Sequence, residues 1–468
     1  MALNEQQSAD VKWALAAFNA SYSVGSVSGT AIGRAALLQT YADYYNGDHP
    51  LLFATTKFLE TFGTTFRANT ENLCKLPVDI LADLLQVEGF APRTGTGGDN
   101  AISQATQEIW RRNRMSERAG QVHKNTPLFG ESFVIVWPDA ENEPVIYPNL
   151  PGNVVVGYHP EQLGYIVQAA KYWVEGARAR LTIYTPELIT RYATRNKAFQ
   201  MPTGPGSFEL YETDEVPAEQ INPYGKVPVF RFVNNSGVGS SGESELRDII
   251  PPQDRLNKAL CDMLLSSEYA AYPQRYALGY DIRLDENGKP INPFQSGADR
   301  MWINENADGS FGQLATGDLT QYLKMIDDAR MAIVRISGIP AHYLAFVSGG
   351  YPSGESLKVA SERLTRKALD RQQSFGNTWA DAMRFCLQIK GMADVELETL
   401  WTDPTPRLSE LESWQAAQAE QAAGGSKDKT LRDRGYSQEQ IEQAEQDRRA
   451  AMFDEGVPRS ADDEEEAA

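Results

Sequence analysis

Residues 243–390 constrain the fold of this chain most, because they predict two amphipathic helices flanking a short insert, followed by a third, very long helix. Apolar residues recur there at steps of three, four or seven, which collects them on one face of a helix. The stripes consist, in chain order, of Leu246, Ile249, Leu256, Leu260, Met263, Leu264 and Ala271; of Leu319, Leu323, Ile326, Ile333 and Ile336; and of Leu357, Leu364, Ala368, Phe375, Trp379, Met383 and Cys386.

The boundaries of this stretch are also readable. Thr316 is a predicted N-cap of the second helix, and Gly338 and Pro340 are stop signals. The third helix continues for more than thirty residues without proline, which corresponds to roughly 50 Å at about 1.5 Å per residue. Glycines and prolines break the insert at 273–315, so we expect a small subdomain at the end of a helical hairpin.

Composition excludes several classes of protein. With 468 residues, of which 41% are hydrophobic, the chain is long enough for several domains with buried cores. It contains no apolar run of eighteen residues and starts with a polar segment, so we expect neither membrane insertion nor Sec export. Cys74, Cys261 and Cys386 are far apart, without the paired spacing of zinc or redox sites, which indicates reduced core thiols.

Net charge is a second constraint. The chain has 63 acidic against 44 basic residues, a formal charge of −19, whereas a protein that grips nucleic acid presents a basic patch. Dispersed negative charge serves solubility, or it forms a surface that repels phosphates and lets nucleic acid slide past. Composition leaves both interpretations open.

Secondary-structure signals change along the chain. Helical periodicity dominates as far as residue 126, and short strands rich in Val, Ile, Tyr and Trp follow from 132 to 233. Helices followed by a meander of strands predict an α+β domain with a mostly antiparallel sheet. Beyond residue 406 the composition shifts to Ala, Gln and Glu, which predicts further helices and then an acidic, disordered end.

No motif supports an enzyme. Gly237, Gly239 and Gly242 form a G-x-G-x-x-G after a strand, but no series of strand and helix repeats follows, so a flexible joint between domains is the favoured interpretation. No P-loop, nucleophile elbow or locally paired carboxylates occur. The four histidines (His49, His123, His159 and His342) are scattered and are predicted to be structural. We therefore expect no catalytic residues, no metal and no cofactor.

The loop at 345–354, AFVSGGYPSG, lies between two predicted helices. It combines Gly349, Gly350 and Gly354 with the aromatic residues Phe346 and Tyr351. It is either an ordinary connector or a mobile loop that touches a ligand or polymer, since glycines permit excursions and exposed aromatic side chains make contacts.

These pieces, in this order, resemble the portal proteins of tailed bacteriophages, in particular the SPP1 Gp6-like family of siphophages. The resemblance is carried by YADYYNGDHPL at 41–51, by IW-x-x-N and LFGESF within 109–133, by GESELRDIIPPQDRLNKALCDMLLSSEYAAYPQRYALG at 242–279, and by GIPAHYLAFVSGGYPSGESLK at 338–358. Matching segments run from about residue 41 to residue 404.

The resemblance implies a portal fold assembled as a ring, usually of twelve subunits, around a channel at one capsid vertex. Its parts, in chain order, would be a flexible N-terminal arm (1–30), a wing (31–242), stem helix 1 (243–272), a small α/β clip (273–315), stem helix 2 (316–338), a tunnel-loop region (339–354), a long wing helix (355–404), a helical crown (405–456) and an acidic disordered tail (457–468). Double-stranded DNA would pass through the channel without sequence specificity during packaging and ejection.

The resemblance also implies partners and site residues. The partners would be the large terminase subunit, which supplies the ATPase, together with head-completion or adaptor proteins and the major capsid or scaffolding protein, in the virion and, during assembly, in the host cytoplasm. The expected tunnel-loop residues are Phe346, Val347, Ser348, Gly349, Gly350 and Tyr351; the channel-facing stem residues are Asp254, Lys258 and Asp262; and the clip docking residues are Asp281, Arg283, Asp285 and Asn287. The alternatives are another capsid or head–tail connector protein, or a nucleotide-dependent enzyme built on the glycine motif.

Overall fold

The computed structural model describes residues 3–23, 31–50, 60, 63, 67–93, 99–162, 164–198, 201–214, 216–235, 242–271, 275–278, 286, 288, 310–313, 318–344, 354–392 and 394–405. The chain divides into two compact units, residues 1–351 with 360–404 and residues 352–359 with 405–468. In the second unit, the described part is essentially the first turns of a long helix.

Helices and strands alternate as an α+β chain within the described ranges. In order they are α1 (Glu5–Phe18), β1 (Ser21–Ser23), β2 (Ala31–Gly33), α2 (Arg34–Asn46), α3 (Lys75–Asp83), β3 (Val87–Pro92), α4 (Asp99–Arg112), α5 (Met115–Phe129), β4 (Glu131–Pro138), β5 (Pro144–Asn149), β6 (Val154–Tyr158), β7 (Ile166–Glu175), β8 (Arg178–Tyr184), β9 (Leu188–Thr194), β10 (Phe208–Leu210), β11 (Glu219–Ile221), β12 (Val229–Val233), α6 (Ile250–Ala271), β13 (Arg275–Leu278), β14 (Ser310–Gln313), α7 (Thr320–Ser337), α8 (Gly354–Ile389) and β15 (Leu397–Trp401).

Two antiparallel sheets form the middle of the chain, which confirms the predicted meander. One has the order β10-β9-β8-β7-β6, with β11 also pairing with β9, and the other has the order β12-β4-β5. Their facing residues share a small core in which Phe133 and Ile135 of one sheet pack with Val154 and Ala169 of the other. Side chains alternate across each strand, so the opposite face of the larger sheet needs a different cover.

Helix α1 supplies that cover, and the prediction of a flexible arm over 1–30 is wrong for this segment. Asn4 caps the helix by accepting from the backbone N–H of Gln7. Val11, Leu15 and Phe18 are buried against the larger sheet, in a cluster that includes Leu181. The burial of several large apolar side chains outweighs the entropy of ordering the segment.

The largest core lies beneath α8. Phe375, Trp379 and Met383 are fully buried there, as the predicted stripe requires, and they pack with residues of α4, α5 and β4. The β3–β15 pair, which the sequence pattern did not predict, joins two segments about 300 residues apart in the sequence. Leu397 and Phe90 bring this two-stranded sheet into the same core.

The predicted helical hairpin is present as α6 and α7, joined in the sequence by the insert that contains the antiparallel pair β13–β14. Helix α7 ends at Gly338, which adopts φ +77, a left-handed conformation that glycine accepts readily. Its start differs from the prediction: the helix begins at Thr320, and Asp318 accepts a hydrogen bond from the backbone N–H of Thr320. The predicted cap Thr316 lies outside the described residues.

Candidate functional site

The α6–α7 hairpin and the residues that anchor it form the candidate site. Leu256 and Ala259 of α6 pack against Ile326, Ala329 and Ile333 of α7. The cluster extends into α2 and α3 through an apolar set comprising Tyr41, Tyr44, Tyr45, Leu73, Cys74 and Val78. The base of the hairpin is therefore part of the folded subunit, while its far end carries the insert.

The three predicted channel-facing residues differ in their surroundings. Tyr44 Oη donates to Asp254 Oδ1 at 2.6 Å, so Asp254 is engaged by α2 within the same chain. Lys258 and Asp262, one and two turns farther along the same side, form an ion pair at 2.5 Å with side chains 40% and 38% exposed. All three lie opposite the apolar stripe, as their four-residue spacing predicts. All three are half-buried, and the carboxylate of Asp254 is already engaged by Tyr44.

A buried polar network fixes α6 to the preceding helices. Asn257 Nδ2 lies 2.7 Å from Nδ1 of His49, and Gln253 Oε1 accepts from the backbone N–H of Leu73 at 3.0 Å. Burial lowers the pKa of His49, and burial also raises the pKa of Asp254, although the Tyr44 hydrogen bond opposes that rise. The network satisfies groups that would otherwise be costly to bury.

Helix α7 is anchored by an ion pair between Arg330 and Glu71. Arg330 Nη2 lies 2.7 Å from Glu71 Oε2, and Arg330 Nε lies 3.2 Å from Glu71 Oε1. This two-point pairing is the geometry in which a guanidinium and a carboxylate bind best. It joins α7 to the segment just before α3.

Two cations on α8 bind the base of the hairpin, at the residues just before α6 and at the end of α7. Lys367 Nζ donates to the carboxylate of Glu245, which precedes α6, and to the carbonyl oxygen of Ser337, the last residue of α7, at 3.2 Å. Four residues earlier, Arg363 donates to the carbonyl of Arg335 at 2.9 Å. Cations at the C-terminal end of α7 donate to carbonyl oxygens that have no intrahelical partner, and they interact favourably with the negative end of the helix dipole.

The two hairpin helices carry no net charge. Helix α6 has three acids and two bases, and α7 has two acids and three bases, which gives five of each. Residues 405–468 hold sixteen acids and eight bases, a net of −8. A large share of the negative charge thus lies outside the hairpin, and the composition of the two helices does not support a phosphate-repelling acidic surface on them.

The predicted stripe of α7 is only partly buried. Ile326 and Ile333 are in the core of the subunit, whereas Leu323 and Ile336 of the same predicted stripe are exposed in the single chain. Met325 and Ile336, 47% and 41% exposed, lie with Ala332 along one flank of α7, at steps of seven and four residues. We call Met325, Ala332 and Ile336 the α7 flank; α6 covers the neighbouring line of the helix and leaves this one open.

Gly242, the last glycine of the G-x-G-x-x-G motif, has a packing role. A Cβ built on Gly242 would lie 1.9 Å from the carbonyl oxygen of Gly130, and one on Gly130 would lie 2.6 Å from the carbonyl oxygen of Gly242. The two backbones approach so closely that neither position accommodates a side chain. Gly237 and Gly239 lie outside the described residues.

Several predicted elements cannot be placed. The tunnel-loop residues Phe346 to Tyr351, the clip residues Asp281, Arg283, Asp285 and Asn287, and the crown all lie outside the described residues. Among the side chains that are described, no group of three or more His, Cys, Asp and Glu could hold a metal ion. Within the same ranges, no helix combines the length and apolar character of a membrane span.

Sequence reasoning missed the anchoring residues, because their partners are distant in the chain. Lys367 and Glu245 are 122 residues apart, and Arg330 and Glu71 are 259 apart. The only local signal was the four-residue spacing of Arg363, Lys367 and Arg371 on one side of α8. That spacing indicates a basic stripe but not what it binds.

Comparison with known proteins gives a consistent result. The family model described as "Phage portal protein, SPP1 Gp6-like" matches residues 34–452. The chain is 24% identical over 374 residues to the portal protein of Mycobacterium phage D29, covering 74% of this chain and 73% of that protein. It is 25% identical over 356 residues to the portal protein of Mycobacterium phage L5, covering 71% and 68% respectively.

Among solved structures, one similar chain comes from the neck of an empty gene transfer agent particle computed with C6 symmetry. The TM-score is 0.46 at 13% identity, with 85% of this chain and 93% of that chain covered.

Proposed function

Because the chain belongs to the SPP1 Gp6-like family of phage portal proteins, we propose that its copies assemble into a ring, of twelve subunits, at one vertex of the capsid. Double-stranded DNA enters and leaves the capsid through the channel of this ring. The family match over residues 34–452 is the observation that carries the proposal, because it spans the wing, the hairpin and the long helix together.

The α7 flank supports assembly of copies. Met325 and Ile336 are large apolar side chains left open to solvent on a helix whose neighbouring line is already packed. Exposed apolar lines of this kind are typical of subunit contacts. In a closed ring each subunit offers one face to the preceding copy and another to the next, and we assign the α7 flank to one of these faces.

We assign the other segments of the chain to the parts of a portal by analogy with the family. In this proposal α6 and α7 form the stem, residues 273–315 form the clip that docks the large terminase subunit and head-completion proteins, and the described domain before α6 forms the wing with α8. Residues 345–354 form the tunnel loop, and 405–456 the crown. The portal itself is structural, and the terminase supplies the ATPase.

The charge balance of the hairpin refines the channel hypothesis. Equal numbers of acids and bases, several of them in pairs such as Lys258 with Asp262, give phosphates no continuous basic surface to grip. We propose Lys258 and Asp262 as lumen-facing, with weak adhesion arising from local neutralisation. Asp254 contributes less, because Tyr44 already engages its carboxylate.

Assembly can be tested on the purified full chain by electron microscopy and light scattering. Wild-type protein should give rings with an axial channel, and Met325→Asp and Ile336→Asp should lower the fraction in rings without lowering the melting temperature of the monomer. Lys324→Asp is the matched control, since this exposed residue lies on the same helix outside the flank. Wild-type protein that stayed monomeric under all assembly conditions would contradict the proposal.

The location in the particle separates this function from its alternative. A portal occupies a single vertex, whereas another capsid or connector component does not require a channel of long helices. Immunogold labelling of particles should therefore mark one vertex.

For the loop, deletion of 347–351 should impair DNA packaging or retention more than ring assembly, and normal packaging by that variant would refute a DNA contact there.

A further inference from the structure

An open cleft of about 170 Å³ lies where the two β-sheets meet. Trp137 of β4 and Tyr147 of β5 contribute from the smaller sheet, and Lys171, Tyr184, Ile189 and Arg191 contribute from the larger one. The cleft lies on the sheet face opposite α1, far in sequence from the hairpin. It is smaller than the roughly 300 Å³ at which pockets for drug-sized molecules begin.

The strand register places the two cations side by side. Lys171 of β7 pairs with Thr182 of β8, and Thr182 pairs with Arg191 of β9, so the three side chains form one row on one face. Strands are about 4.8 Å apart, so the Lys171 and Arg191 backbones are separated by roughly 10 Å. The long side chains of Lys171 and Arg191 can span this distance and contact the same ligand group between them.

The side chains of Lys171 and Arg191 both have N–H groups that donate no hydrogen bond to the described residues. Among the described residues, the Lys171 side chain makes no hydrogen bond or ion pair; its Nζ lies 5.4 Å from the centre of the Trp173 ring. Arg191 donates to the carbonyl oxygen of Pro217 at 3.1 Å and to Gln220 Oε1 at 2.8 Å, which uses two of its five N–H groups. Burial lowers the pKa of Lys171, with no described acid to oppose the change.

In the part of the chain that the structure describes, the rest of the lining is apolar or aromatic and includes no carboxylate. Trp137 and Ile189 provide carbon surface, while the phenols of Tyr147 and Tyr184 provide additional hydrogen-bonding groups. A half-buried cation without a counter-charge is unfavourable. A ligand with one negative group and a short apolar stem would neutralise the cations and cover the carbon surface.

We propose that this cleft binds the side-chain carboxylate of an acidic residue presented by a partner polypeptide, with Lys171 and Arg191 holding the carboxylate and Trp137 and Ile189 contacting its aliphatic stem. The inference does not depend on the proposed ring. Two cations in a small cleft do not form the extended basic track that nucleic acid requires. Addition of a strand is disfavoured, because the edge strand β5 contains Pro144 and Pro148, which lack N–H donors.

Ligand-observed NMR on the full chain tests the proposal. The probe is N-acetylglutamate amide, and N-acetylglutamine amide is the neutral control of the same shape. We expect saturation transfer to the glutamate probe at millimolar concentration, and at least a fivefold weaker signal for the glutamine probe. Lys171→Gln and Arg191→Gln should each reduce the glutamate signal at least threefold, whereas Arg178→Gln, at an exposed position on β8, should not.

Covalent labelling gives a second readout. The glutamate probe should slow the acetylation of Lys171 by an amine-reactive acetylating reagent, measured by mass spectrometry. The acetylation rate of the exposed Lys324 should not change. Equal signals for both probes, or an unchanged glutamate signal in Lys171→Gln and Arg191→Gln proteins with wild-type melting temperatures, would overturn the proposal. Binding of inorganic phosphate without binding of the glutamate probe would also overturn it, in favour of an inorganic-anion site.

Discussion

The indole Nε1 of Trp379 donates a hydrogen bond to Nε2 of His123 at 2.8 Å, in the core beneath α8. His123 Nδ1 lies 2.7 Å from the carbonyl oxygen of Leu85, so the ring proton is on that nitrogen. Both ring nitrogens are thus used by neutral imidazole. The pair joins α8 to α5 and to the end of α3 in the middle of the largest core.

Replacing Trp379 by Phe should lower the free energy of unfolding by about 2–5 kcal/mol, because it removes buried volume and leaves a buried nitrogen of His123 unpaired. Trp110→Phe is the matched control, since Trp110 lies in the same core and its indole N–H has no hydrogen-bond partner among the described residues. Urea denaturation measures both variants. Equal losses would show that volume alone matters and that the His123 hydrogen bond contributes little.

His123 also predicts a pH dependence. Burial lowers its pKa to about 4, whereas an unfolded histidine titrates near 6.5. The unfolded chain therefore binds a proton that the folded chain rejects between those values, so stability is full above pH ~6.5 and falls as the pH drops towards ~4, by about 3 kcal/mol from this group. The free energy of unfolding of wild type should fall more steeply over this window than that of His123→Gln. Identical slopes would contradict the assignment.

Lys367→Met should lower the free energy of unfolding by roughly 2–4 kcal/mol, because it leaves the carboxylate of Glu245, 10% exposed, without its main partner. Arg366→Met is the control on the same helix: its pair with Glu362 is solvent-exposed, and such pairs contribute less than about 1 kcal/mol. The double variant Glu245→Gln with Lys367→Met should lose less than the sum of the single variants. Additive losses would show that the two groups are not coupled.

Periodic patterns predicted much of the fold. The stripes of α6 and α8 and the alternation of β4 to β9 are local properties, and the structure places β4 to β9 within a few residues of the predicted boundaries. The two helices are shorter than predicted: α6 begins at Ile250 rather than at residue 243, and α8 ends at Ile389 rather than at residue 404, because strand β15 occupies part of the remaining segment. Edge elements were missed for a physical reason. Strands β3 and β15 are short and pair across about 300 residues, so no local pattern specifies their partner.

The candidate site was less accessible to sequence reasoning. Four-residue spacing placed Asp254 on the polar side of α6, but the contact with Tyr44 depends on how α2 packs, 210 residues away. The predicted stripe of α7 is wider than its buried part, because spacing does not distinguish side chains that pack within the subunit from those, such as Ile336, that stay exposed on it. Net charge likewise gave no information on where the charge lies.

The contact between Gly130 and Gly242 gives the last prediction. Gly242→Ala should lower the free energy of unfolding by at least 2 kcal/mol, because its methyl group would overlap the carbonyl oxygen of Gly130 and the backbone of one segment must move. Gly120→Ala is the control: Gly120 lies in α5, and a Cβ added there would meet no atom within 4 Å, so alanine should be neutral or stabilise by about 0.5–1 kcal/mol. Thermal unfolding compares the two. A Gly242→Ala protein as stable as wild type would mean that this glycine is not required for close packing, and would reopen the question of why the motif ends there.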